Sequence, residues 1–195
     1  MDLNKLRGIH PDWKIIEALA PDEAASAINL LLAGVFLNGR LTEDEPRILA
    51  QTWSRFPFVS SELNGYSFIE HLKASYDRLV AMLSDPDQFE AFLDDVSTNI
   101  PDEDARLAVL RLLALVLNEE DLHTRQQDFF GLVSLEFGFD LDTADNLLRS
   151  AWESYQDAGP RPEGESRFKP LIKGRNLSAT SRFTTSSNPF SQDLY

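Results

Sequence analysis

The chain has 195 residues, enough to bury a self-sufficient core in one domain with an appendage. It is 43% hydrophobic and 26% charged and lacks cysteine, which excludes disorder throughout, a disulfide scaffold, a thiolate metal site and a cysteine nucleophile. The net charge of −14 is uneven: residues 1–160 hold 12 Lys+Arg against 29 Asp+Glu, a balance of −17, whereas 161–195 hold 6 against 3, a balance of +3. A field of that sign disfavours nucleic-acid binding by the main body and attracts cations or a basic partner.

The first residues, MDLNKLRGIHPDW, lack the apolar stretch of a signal peptide. The apolar runs Ala27–Leu37 and Ala108–Leu117 have about half of the roughly 20 residues needed to span a bilayer. The expectation is a soluble, cytoplasmic protein with no direct membrane insertion. Trp13, Ile15, Ile16 and Leu19 fit a short helix packed across the domain. Pro21-Asp22-Glu23 then opens a helix, because proline and acids suit a first turn with unpaired amides and a positive dipole end. Asn38-Gly39 is its stop. Thr42 and Glu45 form a capping box for a helix carrying Ile48, Leu49 and Trp53 and ending near Pro57.

Apolar residues at i, i+3, i+4 and i+7 predict helices over 66–83 and 86–98. The helix from Asp102 to Leu117 is apolar on nearly every face and is expected to run through the middle of the domain. Helices over 123–137 and 142–157 follow, parted by the Phe137-Gly138-Phe139-Asp140 turn. After Gly159 the composition becomes rich in Ser, Thr, Pro and Arg without periodicity, which predicts a flexible tail over 159–195.

Set against itself at an offset of 80, PDEAASAINLLLAGVFLN (21–38) falls on PDEDARLAVLRLLALVLN (101–118) with 8 of 18 identities. One inserted residue later Leu41 falls on Leu122, and a second amphipathic helix follows in each copy. Shared start, stop and following element favour duplication over chance. The predicted fold is all-α: a single globular helical domain of about seven helices over 1–158, made of two pseudo-symmetric halves (repeats 21–56 and 101–137), plus the tail.

The alanine/leucine-rich helix running into Asn38-Gly39-Arg40-Leu41, with Thr42 and Glu45 following, resembles the TerB-like family of tellurite-resistance and related helical domains. The resemblance covers roughly residues 15–157. It implies an all-α, two-fold-repeated domain of stress-response or membrane-linked assemblies without established enzymatic activity. The family loop reads Asp-Gly-x-(Ile/Leu)-x-x-x-Glu; here Asn38 replaces its Asp and Glu45 is kept, while Glu119 and Gln126 stand at the two places in the second half. Acids at these places imply a divalent-cation site, with Glu45, Glu119 and Asp121 as candidate ligands; a hard cation wants several oxygens. The competing reading is that these acids cap and charge the next helices.

His10, His71 and His123 each stand without an i+4 partner, and no HExxH, GxSxG, Walker A or GxGxxG motif is present. The carboxylate pairs Asp85/Asp87 and Asp94/Asp95 fall on outer faces and read as solvated surface; Trp53, Trp152 and Phe129/Phe130 read as core. The function expected is a non-enzymatic protein-interaction module. Its tail would act as a linear motif, anchored by Phe168, Phe183, Phe190 and Tyr195. The alternative is a cation-responsive binding domain using the acidic loops.

Overall fold

The computed structural model describes residues 11–37, 49, 52–53, 55–56, 68–117 and 124–156, the side chains of 68–71 and 154–156 excepted. Among these the protein is all-α: α1 Trp13–Ile16, α2 Pro21–Phe36, α3 Phe68–Ser84, α4 Pro86–Asn99, α5 Glu103–Leu117, α6 Thr124–Glu136 and α7 Leu141–Gln156. Leu49, Thr52 and Trp53 are also helical, within the span predicted to follow Thr42.

The starts of these helices follow from local chemistry. Pro21 begins α2, and the Glu23 carboxylate reaches back to accept from the Ala20 amide at 2.7 Å. Three aspartates cap later helices. Asp85 accepts from the Asp87 and Gln88 amides, Asp102 from Ala105, and Asp140 from Thr143. The stop between α6 and α7 needs glycine. Gly138 sits at φ 89°, where the Phe139 amide donates to the Ser134 carbonyl and the Gly138 amide to that of Leu135.

Two helices form the centre. Every residue from Leu30 to Phe36 of α2 and from Leu112 to Leu117 of α5 is buried, so both are enclosed on all sides. Sequence foresaw this for α5. They cross where α2 has Gly34, whose position faces Leu113, Leu117 and Phe129. Even a Cβ there would crowd these three side chains, and a larger side chain would have no room.

The surrounding helices exchange between halves. In the first half α1 precedes α2, yet it packs on α5; in the second α4 precedes α5, yet it packs on α2. Each central helix also has a later helix of its own half beside it, α3 on α2 and α7 on α5. The offset of 80, moving to 81 after the inserted residue, carries Ile16 onto Val96 and Phe56 onto Phe137, all four buried. It also carries Glu17 and Arg55, paired at 3.2 Å, onto Ser97 and Glu136, joined by a 3.0 Å hydrogen bond. Different chemistry thus clasps the same two places.

Candidate functional site

All residues singled out as ligands or anchors, Glu45, Glu119, Asp121, Phe168, Phe183, Phe190 and Tyr195, lie outside the described residues, as do His10 and His123. The structure does describe the helix ends that border the two acidic loops. There α6 begins with three consecutive buried polar residues, Gln126, Gln127 and Asp128, followed by Phe129 and Phe130 at the centre of the core. Gln126, which the internal repeat sets against Glu45, is only 2% exposed. Its amide donates at 3.4 Å to the Gly34 carbonyl, in the last turn of α2, where carbonyls lack intrahelical partners. At this position the side chain ties α6 to α2. Among the described residues no group of three or more His, Asp or Glu side chains could hold a metal ion.

The aromatic residues read as core are core. Trp53, Phe129, Phe130 and Trp152 are all buried. Beside Trp53 the hydroxyl of Thr52, 1% exposed, has no hydrogen-bond partner among the described residues. It borders a cavity of about 10 Å³ lined by Ile28, Leu31, Leu32, Leu49, Trp53 and Phe56. That is room for about one water, and one hydroxyl is fewer than the two to four polar partners a buried water needs. A residue that sequence reasoning missed is Arg106. Its guanidinium donates to the carbonyls of Ile100 at 2.6 Å, Ser97 at 2.7 Å and Phe137 at 3.4 Å, and lies 5.8 Å from the Phe137 ring centre. The one available signal was a basic residue in the acidic first turn of a helix whose only other basic residue is Arg111.

The exposed face of α4 carries charge of one sign. Asp87, Glu90, Asp94 and Asp95 are all exposed, and α4 contains no Lys, Arg or His. Exposed Asp102, Glu103 and Asp104 continue the acidic run into α5. The Asp85 carboxyl at the head of α4 is held below its ordinary pKa by the Gln88 amide and side chain, with a smaller contribution from the Asp87 amide. It therefore stays charged into acid solution. Asp87, Asp94 and Asp95 are exposed, as their sequence positions implied, whereas Asp85 is partly buried and caps α4.

No protein-family model matches the chain, no curated protein matches it, and no solved structure matches it. Among the described residues no helix is long and apolar enough to cross a membrane.

Proposed function

We propose that the chain is a non-enzymatic interaction module of TerB-like character that presents an acidic helical face to a basic protein partner. The observation that carries this reading is the α4 surface, where four exposed carboxylates have no cation on their own helix. Such a face raises the local concentration of a basic partner and speeds encounter more than it tightens the complex. The segment after residue 158 serves as a second contact, with its aromatic residues as anchors in a basic, Ser/Thr-rich context. The TerB-like part of this reading rests on the Asn38-Gly39-Arg40-Leu41 sequence pattern, followed by Thr42 and Glu45.

Affinity purification from the source cell tests this with three baits: the full chain, residues 1–158, and the full chain with Asp87, Glu90, Asp94 and Asp95 changed to Asn or Gln. A partner kept by the full chain and lost by both altered baits supports the two-contact reading. Equal recovery by all three rules out both surfaces.

A further inference from the structure

The boundary between the two halves is a single residue. α3 ends at Ser84 and α4 begins at Pro86, with Asp85 extended between them at φ −113° and ψ 115°. Both neighbours enforce the break. Pro86 has no amide hydrogen to continue a helix, and its ring disfavours helical geometry at Asp85. Asp85 in turn caps α4 through the Asp87 and Gln88 amides and the Gln88 side chain, contacts that a continuous helix would not make. On the α3 side the Asp85 amide closes a turn on the Met82 carbonyl.

This break decides which copy of the chain each half meets. With it, α4 folds back onto α2, and Asn99 reaches Ser26 at 3.0 Å. Without it, α3 and α4 would run on as one helix from Phe68 to Asn99, and residues 86–156 would be carried away from residues 13–84. The contacts of α1 with α5, of α2 with α4, α5 and α6, and of α3 with α4 would be lost within the chain. A second copy offers the same surfaces. Because all of these contacts join one half to the other, a reciprocal pair of chains restores every one of them.

We infer that the face between the halves is one that a second copy of this chain fits, and that the Asp85-Pro86 joint keeps it occupied within one molecule. The joint is a conformational device: it makes the closed monomer the shorter route to the same buried contacts. Replacing both residues by alanine, a strong helix former, removes the proline block and the competing cap together.

The test refolds the full chain and the Asp85→Ala/Pro86→Ala variant at high protein concentration and measures mass by size-exclusion light scattering. The variant is expected to raise the dimer fraction by about tenfold or more over the wild type. The native chain has no cysteine, so Ser26→Cys and Asn99→Cys add a unique thiol pair across the two halves. Joined by a short bis-maleimide, which adds one thiol across each of its two C=C bonds, this pair must link two chains in the variant dimer and stay within one chain in the wild type. Two glycines inserted after Ser84 in the variant must return both readouts to wild type. An unchanged dimer fraction overturns the inference, and so do intrachain links in the variant dimer. Should the double variant fail to refold, Pro86→Ala alone keeps the cap and must still raise interchain linking; no rise overturns the inference as well.

Discussion

At the scale of single residues, two positions in the centre carry opposite errors of fit. Thr52 holds a hydroxyl that neither the described residues nor space for a well-bound water satisfies. A buried donor left unmade costs about 1–3 kcal/mol, so Thr52→Val should stabilise the protein by about 1 kcal/mol in urea denaturation with an unchanged slope. A loss of stability would show that the hydroxyl has a partner after all. Gly34 is the reverse case, a place with no room. A Cβ there would lie 3.0 Å from Leu117, 3.1 Å from Leu113 and 3.3 Å from Phe129. Replacing glycine by alanine within an exposed helix gains about 1 kcal/mol; here that gain should be cancelled by crowding. Gly34→Leu, with no such offset in space, should lose about 2–3 kcal/mol in the same assay. Neither position was legible in the sequence. Gly34 interrupts a run of good helix formers and looks tolerable there; the reason for it lies in a helix about eighty residues away.

At the scale of elements, the sequence was readable wherever the cause of a helix end is local. Pro21-Asp22-Glu23, the apolar periodicity of α3 and α4, and the Gly138 turn all act within a few residues, and all appear where expected. Arg106 was not readable because its partners come from α4 and from beyond the end of α6. Three charge-assisted bonds close the carbonyl end of α4 onto the α6–α7 turn. Arg106→Met keeps much of the aliphatic stem and removes the bonds, and should cost about 2–4 kcal/mol in chemical denaturation. Arg106→Lys should recover less than half of that, since one ammonium cannot reach all three carbonyls in a planar fork. The other end of α4 gives a pH-dependent test. The Asp85 pKa is depressed in the folded state, so its contribution is full above the ordinary carboxylate value and is lost as pH falls through the depressed one. Asp85→Ala should therefore be less stable than wild type at neutral pH and indistinguishable from it in strong acid, as read by thermal unfolding across that range.

At the scale of the whole molecule, the apolar interior and the acidic exterior were both legible, because composition alone requires them. The candidate site was legible only as residue types. The acids and aromatics named for it lie outside the described residues, and the described part of the same neighbourhood uses Gln126 to join two helices. What the structure adds is a face where charge works against stability. Glu90 lies three residues after Asp87 and four before Asp94 on the exposed side of α4, so it makes two repulsive pairs. Each like-charge pair at this spacing costs about 0.2–0.5 kcal/mol at low salt. Glu90→Lys turns both into attractions and should stabilise the protein by about 1 kcal/mol at low ionic strength. The gain should fade as salt rises past roughly 0.1 M, where screening reaches about 10 Å. The same substitution removes charge from the face proposed to meet a basic partner, so it should weaken capture of that partner while the fold becomes more stable. Measuring both on one variant separates the two roles. Stability and capture moving in opposite directions, with both effects collapsing in high salt, is what a binding face maintained at a cost to folding requires. If stability rises and capture does not change, the acids of α4 are there for solvation alone.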